Sequence, residues 1–508
     1  MKSRVFSAAP EGTAALFFIQ IFATLGFAVL YSTLVLYATK HLQLGVKEAT
    51  ALMGVFGAFN YGLHLFGGYL GGRFLSNRNL FVGGMALQVI GCACIATGTL
   101  ALFYVGLALF LTGSGLNVTC INMMLTQRFT PEDPRREGAF LWNYAGMNVG
   151  FFVGFSVAGH FQGTESYASL FIFATLGNFV AIVLAFFNWK TLSDRNTPLL
   201  DKTPKQFRLR NLAGIAILIG LVPVVWFMLQ RPGGTELIIK AICGAVALML
   251  IYLTVRHSDR REQRNMTAYV ILSVGSLMFW SLYQMAPSGL MLFAVNNVDL
   301  LIKDVGILPQ SLQSIIERVT GTNQIQPQWI QNINTVCIVI GGPVLAALFT
   351  RMRARGWSID IPKQFAASLL LMAVAFLILP LGVKLAGDGK SAFAWLFWSY
   401  VLQSIGELLI SPIGYAMIGK LAPRQYQGIM MGSWMLWTGL ASLFAGDFSG
   451  MIPNPIGTTP AATNAGYAKL FTELGIGTLA VGIALVALIP FLRKLITDKA
   501  EDVPAEVP

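Results

Sequence analysis

One carboxylate stands inside the apolar stretch Tyr400-Val-Leu-Gln-Ser-Ile-Gly-Glu-Leu-Leu-Ile-Ser-Pro412. It belongs to Glu407, and the apolar run around it extends from about Ala392 to Leu421, which is long enough to cross a bilayer. A charged side chain at mid-membrane depth costs about 2.5–3.5 kcal/mol on insertion scales. Such a residue normally faces a polar cavity, where it binds a ligand or carries a proton. We therefore expect Glu407 to be functional; the alternative is a protonated carboxyl group that only pairs with a neighbouring helix.

The composition of the whole chain is that of a membrane protein. Hydrophobic residues make up 55%, charged residues only 11%, and the mean hydropathy is +0.65, whereas a soluble domain carries about 25% charged residues. The net charge is +12, but the basic residues lie in short segments between apolar runs, so we expect no nucleic-acid partner. The five cysteines fall inside apolar runs and match neither a zinc site nor a set of disulfides. The sequence contains no catalytic constellation, metal-ligand cluster or phosphate-binding loop, which predicts neither an enzyme nor a bound cofactor or metal.

Fourteen apolar segments are long enough to span a membrane. If the N-terminus is cytoplasmic, about 26 of the 35 Lys and Arg residues fall on the cytoplasmic side, as the positive-inside rule requires. An even number of spans then places both termini in the cytoplasm. The approximate limits of the spans are 14–38, 47–71, 79–98, 100–126, 138–160, 167–189, 211–230, 235–255, 267–297, 327–350, 362–385, 392–420, 428–449 and 470–492.

The spans are arranged as six, two and six. We predict an N-terminal six-helix bundle in residues 1–190, a linker with two extra transmembrane helices in 191–265, and a C-terminal six-helix bundle in 266–497. A disordered cytoplasmic tail is predicted in 498–508, and the two extra helices are expected to carry no polar motif. Between the ninth and tenth spans, the pattern of Pro309–Val319 predicts a short amphipathic helix at the outer interface. Two related bundles are typical of secondary transporters that rock about a central site.

Several sequence elements carry a family resemblance that extends over roughly residues 14–495. These elements are Asp133-Pro-Arg-Arg-Glu-Gly138, Asn143-Tyr-Ala-Gly-Met-Asn-Val-Gly150, Phe279-Trp-Ser-Leu-Tyr-Gln-Met-Ala-Pro-Ser288, Leu402-Gln-Ser-Ile-Gly-Glu-Leu-Leu-Ile-Ser-Pro-Ile-Gly414, Lys420-Leu-Ala-Pro423 and Gly428-Ile-Met-Met-Gly-Ser-Trp434. Together they resemble the proton-dependent oligopeptide transporters, the POT or PTR family of the major facilitator superfamily. The resemblance implies an all-α membrane protein with the major facilitator superfamily fold. That fold would consist of two six-helix bundles plus two extra helices, 14 transmembrane helices in total.

The first-helix coupling motif of that family is missing from this chain. Where the family carries Glu-x-x-Glu-Arg-Phe-x-Tyr-Tyr, the sequence reads Gln20-Ile-Phe-Ala-Thr-Leu-Gly-Phe-Ala28. Tyr31 replaces the Arg expected to hold a peptide carboxylate, Val118 replaces the fourth-helix Lys, and Gln284 replaces the seventh-helix Glu. Losing one member of a buried ion pair strands the other at a cost of about 3–5 kcal/mol, whereas losing the whole set strands nothing. The pattern therefore predicts a preserved fold with altered or absent proton coupling.

The resemblance assigns Glu407 the task of holding the α-amino group of a substrate. Burial in a low-dielectric cavity raises the pKa of a carboxyl group unless a cation stabilises its ionised form. Because we find no Lys or Arg in the interior of the core spans that could act as this cation, Glu407 is also the main candidate proton carrier. Gln20 and His64 are further candidates for coupling. For each Asn or Gln the alternative is helix–helix packing, and for His64 it is a packing role. The other candidate substrate-binding residues are Tyr144, Asn148, Tyr31, Asn117, Gln284, Trp280, Asn334, Ser411 and Trp434.

The sequence thus predicts a secondary active transporter of small peptides or peptide-like substrates across the bacterial inner membrane. It would work by alternating access as a monomer in the lipid bilayer. The alternative keeps the fold but moves an amine-bearing non-peptide, such as a metallophore or an amino-acid derivative, by facilitated diffusion or export. Tyr31, standing where a carboxylate-binding Arg is expected, favours that alternative. A receptor or scaffold without transport is a third class, and no extended soluble domain supports it.

Overall fold

The computed structural model describes residues 10–130, 133, 135–163, 166–304, 310–357, 359–423, 425–451 and 458–496. The predicted tail at 498–508 lies outside the described residues. A π-helical turn, Tyr37–His41, extends the first helix. The helices of the first half are α1 (Thr13–Leu36), α2 (Val46–Leu70), α3 (Asn77–Ile95), α4 (Leu100–Thr126), α5 (Arg135–Gly163), α6 (Tyr167–Phe187), α7 (Pro204–Leu229) and α8 (Pro232–Val255).

The second half repeats this helical organisation with short additions. A two-residue strand, β1 (Val298–Asp299), pairs in parallel with β2 (Ser391–Ala392). The amphipathic helix expected at Pro309–Val319 is present as α11, although Pro309 lies outside the described residues. The helices are α9 (Arg260–Tyr283), α10 (Gly289–Asn297), α11 (Gln310–Thr320), α12 (Pro327–Ile330), α13 (Asn332–Ala354), α14 (Ile361–Ala386), α15 (Phe393–Leu421), α16 (Gln427–Gly450) and α17 (Pro460–Leu495).

Thirteen of the fourteen expected spans each coincide with one helical segment, and the ninth covers two helices. In the part of the chain that the structure describes, 12 helical segments are long and apolar enough to cross a membrane. The remaining two, α2 and α5, are less apolar but have 25 and 29 residues. At 1.5 Å per residue, helices of that size also exceed the roughly 30 Å hydrocarbon core. The chain is therefore a multi-pass membrane protein.

The ninth expected span, 267–297, is not one continuous helix, and that prediction was wrong in this respect. The helix is broken at residues 284–288, between α9 and α10. Pro287 has no backbone N–H to donate, so a regular helix cannot continue through it without losing a hydrogen bond. Ser449 of α16 stabilises the restart, because its hydroxyl oxygen accepts the Gly289 N–H at 2.9 Å. The break is thus anchored to a neighbouring helix.

Apolar side chains form separate cores in the two halves. One cluster is built almost wholly from α9 to α17 and includes Phe279, Phe376 and Phe471. Two others are built mainly from α1 to α6 and include Phe56 and Phe81. Within the halves, α1 packs on α5 and α6, α3 packs on α4, and α14 packs on α15 and α17. This arrangement agrees with two bundles, while the predicted domain boundaries remain a prediction.

The two halves meet along α2 and α16, where glycines let the backbones touch. A Cβ atom at Gly54 would lie 2.9 Å from the Ser442 carbonyl oxygen, and one at Gly446 would lie 2.7 Å from the Thr50 carbonyl oxygen. At the other end of α16, a Cβ atom at Gly428 would meet no described atom within 4 Å. We call the end with the N-terminus of α2 and the C-terminus of α16 the sealed end. The opposite end is called the open end.

Helices α5, α12 and α13 close the same sealed end. The Trp329 indole N–H donates to the Ser156 carbonyl oxygen at 2.9 Å, and the Asn332 amide donates to the Ser156 hydroxyl at 3.0 Å. Toward the open end of the same helices, Trp142 of α5 and Leu348 of α13 are exposed. The halves are therefore held together at the sealed end and separate toward the open end.

The segment that follows α6 covers the open end of the first half. The Asp194 carboxylate caps α3 by accepting the Asn77 backbone N–H at 2.9 and 3.1 Å. Burial raises the pKa of Asp194 above its ordinary value, and the hydrogen bonds from Asn77 oppose this shift. The Arg128 guanidinium donates to the carbonyl oxygens of Met124 and Thr191, and burial lowers its pKa to about 10. Backbone groups thus stabilise both buried charges.

Helices α7 and α8 form a hairpin beside the two halves, with α7 packed on α4 and α8 packed on α2 and α16. The expectation that this hairpin lacks a polar motif was wrong. Lys240 of α8 bonds to Glu236 one turn earlier, and its Nζ lies 2.9 Å from Oδ2 of Asp447 on α16. The ammonium also lies 5.3 Å from the centre of the Phe444 ring. Hydropathy averages hid this ion cluster, which holds the hairpin to the sealed end.

We predict that the loop between α7 and α8 is extracellular. Gly233 is exposed and a Cβ atom there would meet nothing within 4 Å, so Gly233→Cys should fold normally. In a background without the five native cysteines, a membrane-impermeant maleimide should label this residue in right-side-out vesicles. Gly428→Cys, at the open end, is the matched control and should react only after permeabilisation. Labelling of Gly233→Cys only after permeabilisation would reverse the orientation.

We predict that Lys240→Met lowers thermal stability more than Asp447→Asn does. The first change leaves two carboxylates facing each other, whereas the second keeps the Lys240–Glu236 pair. Since the groups are partly exposed, the loss for Lys240→Met should be about 1–2 kcal/mol, below the 3–5 kcal/mol of a fully buried pair. Melting of the purified protein measures this ranking. The neutral triple variant, with Glu236→Gln and Asp447→Asn added, should recover stability; equal melting temperatures for wild type and Lys240→Met would contradict the interpretation.

Candidate functional site

Glu407 lies at the centre of α15, with 14 helical residues on either side of it within the 29-residue helix. Its Oε2 accepts a hydrogen bond from the Asn334 amide of α13 at 2.7 Å. The Tyr283 hydroxyl, at the end of α9, donates to the Oδ1 atom of the same Asn334 at 3.4 Å. The Asn334 amide also donates to the Ser404 hydroxyl, one turn before Glu407, at 3.0 Å. A neutral amide from α13 therefore orients the carboxylate, and Tyr283 of α9 helps to hold that amide.

No basic side chain among the described residues pairs with Glu407. The charge placement on the helices around it explains this. On α1, α2, α5, α9, α13 and α15, every Lys and Arg lies within five residues of a helix end. Lys420, on the same helix as Glu407, is 13 residues away, which is about 20 Å along the axis. The site thus presents one carboxylate and no resident cation to neutralise it.

Six tyrosines gather around this carboxylate, and we call them the tyrosine cluster. The hydroxyls of four tyrosines lie within electrostatic range of Glu407; these are Tyr31, Tyr61, Tyr144 and Tyr283. Tyr400 and Tyr415 lie within electrostatic range of one or more of these four tyrosines. They come from five helices of the two halves. The cluster consists of Tyr31 (α1), Tyr61 (α2), Tyr144 (α5), Tyr283 (α9), and Tyr400 and Tyr415 (α15).

Sequence reasoning named Tyr31 and Tyr144 but missed the four other tyrosines. A signal for two of them was present on α15. Tyr400 and Tyr415 are two helical turns before and after Glu407, and Ser404 and Ser411 fill the turns between. Positions spaced by three, four or seven share one face of a helix. A polar stripe on an otherwise apolar helix therefore marked the face that lines the site.

The cluster sits between the halves, on the open-end side of the seal. Tyr144 is 42% exposed and its hydroxyl lies within electrostatic range of Glu407, so the site communicates with the open end. Asn148, one turn further along α5, is buried and donates its amide to the Tyr144 carbonyl oxygen at 2.9 Å. Tyr31 lies deeper, where it lines a small closed space with Gln284 at the α2–α16 contact. A ligand could enter from the open end and stop at Tyr31.

Two of the predicted site residues are engaged in helix packing. The Gln284 amide donates to the Thr438 carbonyl oxygen at 2.8 Å and accepts a bond from Ser442, so it fixes the broken end of α9 to α16. Asn117 donates to the sulfur of Met85 at 2.7 Å, in the contact between α3 and α4. The structure thus places Asn117 away from Glu407. In both cases the contacts correspond to the helix–helix packing alternative.

The two predicted tryptophans are largely buried in the second half. Trp280 packs edge-on against Tyr283, with ring centres 5.5 Å apart, and so supports a member of the cluster. Trp434 is 3% exposed and stands against Gly414 and the Phe365 ring. Trp434 therefore contributes to the core that carries α15 rather than presenting an open face to the site in this conformation.

The predicted coupling residues occupy different surroundings. Gln20 donates to the Thr24 hydroxyl at 2.8 Å and accepts from Asn143 at 3.4 Å, which joins α1 to α5. His64 lies one turn from Tyr61, with ring centres 5.9 Å apart. Its Nε2 atom is buried and has no hydrogen-bond partner among the described residues. Only His64 of these two is therefore adjacent to the tyrosine cluster, and its role in coupling remains a prediction.

This architecture, two helical halves around one central polar site, defines a class of membrane transporter. Residues 16–302, more than half of the chain, match the family model described as Major Facilitator Superfamily. Residues 314–464 match the PTR2 model, described as POT family. The chain belongs to the Major Facilitator Superfamily, and its second half is similar to the POT family. The predicted fold and family resemblance are thereby confirmed.

Similar proteins cover nearly the whole chain. The dipeptide and tripeptide permease A of Citrobacter koseri is 28% identical over 504 residues, which are 98% of this chain and 95% of that protein. The protein of the same name from Escherichia coli K12 is 28% identical over 506 residues, with the same shares of each chain. Among solved structures, a peptide transporter POT in complex with sulfate has a TM-score of 0.81 at 24% identity, covering 97% of this chain and 96% of that one. The likeness to that structure concerns the fold.

Proposed function

We propose that this chain transports small peptides or peptide-like substrates across the bacterial inner membrane by alternating access. The observation that carries the proposal is the central carboxylate of Glu407, oriented by Asn334 and without a basic partner among the described residues. The similarity to dipeptide and tripeptide permeases over nearly the full length supports the substrate class. A monomer with both termini in the cytoplasm is part of the proposal.

The substrate ammonium is expected to replace the missing cation. An N–H⁺ group that donates to the Glu407 carboxylate forms a charge-assisted hydrogen bond, worth about 1.5–3 kcal/mol. Tyrosine rings add attraction, because a cation near the face of an aromatic ring gains about 0.5–2 kcal/mol. Tyr144 and Asn148 line the approach from the open end. The site therefore suits the amino end of a peptide or a similar amine.

Alternating access requires the sealed end to open and the open end to close. Under the proposed topology the sealed end is extracellular, so this conformation faces the cytoplasm. Opening would separate the backbones at Gly54 and Gly446 and break the bonds from Trp329 and Asn332 to Ser156. Each such bond contributes about 0.5–1.5 kcal/mol net. The closing contact is thus moderate in strength, as a reversible gate requires.

Proton coupling is proposed to be altered or absent. The family's acidic positions are occupied by Gln20, Ala23 and Gln284, none of which titrates. Glu407 and His64 are the remaining titratable groups near the path. If the ammonium and a proton compete for Glu407, pH would change affinity without driving accumulation.

A second candidate substrate class is an amine-bearing non-peptide, such as a metallophore or an amino-acid derivative, moved by facilitated diffusion or export. Tyr31 supports it, because a neutral phenol stands where the family resemblance places a carboxylate-binding Arg. A thermal-shift screen of dipeptides, tripeptides and amine metabolites separates the two classes. A ligand of the folded state raises the melting temperature by mass action.

We predict that Glu407→Gln weakens binding of any amine-bearing ligand at least tenfold. The variant keeps the shape and the Asn334 hydrogen bond but removes the charge, which is worth about 1.5–3 kcal/mol in such a bond. Isothermal titration of the purified protein measures the change. Glu473→Gln, on the exposed face of α17, is the matched control and should bind like wild type. Unchanged affinity in Glu407→Gln would assign Glu407 a structural role.

We predict that an inward proton gradient does not drive concentrative uptake into proteoliposomes. Without the acids of the usual coupling circuit, substrate should only equilibrate across the membrane. Counterflow of labelled substrate in the same vesicles shows that the protein is active. Gradient-driven accumulation that persists in Glu407→Gln would reveal a proton site elsewhere, with His64 the first candidate. Accumulation that disappears in Glu407→Gln would instead place coupling on Glu407.

A further inference from the structure

The site is electrostatically one-sided. The second half supplies the carboxylate and its neutral partner Asn334, which accepts a hydrogen bond from Tyr283. The first half supplies only tyrosines to the cluster, among them Tyr31 and Tyr61. On the helices that carry these residues, each Lys and Arg stands within five residues of a helix end. Across the described part of the site, Glu407 thus faces neutral phenols and no cation.

This asymmetry decides what the far end of a bound substrate meets. Two residues of extended chain span up to about 7 Å. A dipeptide that binds Glu407 through its ammonium and extends toward the first half places its C-terminal group near the phenols of Tyr31 and Tyr61, which lie within electrostatic range of Glu407. A phenol donates one hydrogen bond and supplies no charge. A desolvated carboxylate without a cationic partner is costly, whereas a hydrogen-bonded neutral amide is not.

The wall at this far end is aromatic. The Tyr31 ring stacks on Phe27 with ring centres 5.5 Å apart, and Phe27 stacks in turn on Phe56 at 5.9 Å. Tyr31 is also coupled electrostatically to Tyr400 from the other half. Such surfaces favour apolar or neutral polar groups over an anion, because a ring presents its negative face.

We propose that the site recognises only the ammonium end of its substrate and selects amines whose far end is uncharged. C-terminally amidated or esterified short peptides and amines without a carboxylate belong to this class. The inference rests on the proposed transport function and on Glu407 as the ammonium site, and it adds the specificity at the opposite end.

Four ligands of one size test this proposal on the purified full chain in lipid nanodiscs. They are alanyl-alanine, its C-terminal amide, its N-acetyl derivative and the doubly blocked form, titrated at one pH and salt concentration. The amide should bind about tenfold more tightly than the free dipeptide, since a tenfold ratio needs only about 1.4 kcal/mol. An amide that binds within threefold of the free dipeptide would show no selection against the terminal carboxylate. Both N-acetylated forms should bind at least tenfold more weakly than the amide.

The outcomes separate this inference from the proposed function. A free dipeptide that binds more tightly than its amide, or within threefold of it, would overturn the inference and leave peptide transport standing. If neither amine form binds, the inference and the dipeptide assignment both fall. Amide binding that survives Glu407→Gln would show a different recognition site and would also overturn the proposal.

A pair of variants at one position tests the far end directly. Tyr31→Arg introduces a guanidinium opposite Glu407 and should shift the preference toward the free dipeptide by at least tenfold, as charge-assisted pairing predicts. Tyr31→Phe keeps the stacked ring and should leave the amide preference in place. An unchanged ratio in a folded Tyr31→Arg protein would refute the placement of the far end at Tyr31. The wild-type ligand series stands by itself if Tyr31→Arg does not fold.

Discussion

A carboxylate at the centre of a membrane helix must be stabilised by protein groups or by a ligand, because the bilayer core offers no water. Glu407 satisfies this constraint with the neutral Asn334 amide, which in turn accepts a hydrogen bond from the Tyr283 hydroxyl. The helices that bring these groups, α9 and α13, must therefore keep their register against α15. The end of α9 is fixed in turn by Gln284 on α16. These contacts of α9, α13 and α16 therefore help to hold the Glu407 carboxylate in place.

Neutral stabilisation has a different consequence from an ion pair. A resident Arg or Lys would satisfy the carboxylate and compete with an incoming ammonium. A hydrogen bond from a neutral amide orients the carboxylate but leaves the negative charge uncompensated whenever the group is ionised. A ligand cation that binds there then gains the full electrostatic attraction to the carboxylate. The absence of charged side chains from α1 and α4, and from α9 beyond its first turns, is therefore compatible with a working binding site.

Much of the fold could be predicted from the sequence because hydropathy and charge bias act over whole segments. The fourteen spans, the amphipathic α11 and the importance of Glu407 follow from such patterns. The break at 284–288 could not, since it depends on Ser449 of a distant helix as well as on Pro287. The same holds for Tyr61, whose place beside Glu407 results from the packing of α2 against the second half. The sequence alone does not show which partner a single polar residue in an apolar helix will contact. Tertiary packing determines whether that residue lines the binding site or joins two helices.

The hairpin of α7 and α8 shows how unequal contacts can decide which parts move together. Helix α8 touches α2 through an apolar cluster that includes Cys243, and it touches α16 through the Lys240–Asp447 ion pair. In a bilayer, apolar helix contacts are exchanged for lipid contacts at low cost, whereas a separated ion pair leaves charges in a poor solvent. When the sealed end opens, α2 and α16 have to part. The hairpin should therefore stay with α16 and move as part of the second half, although its sequence position places it between the two.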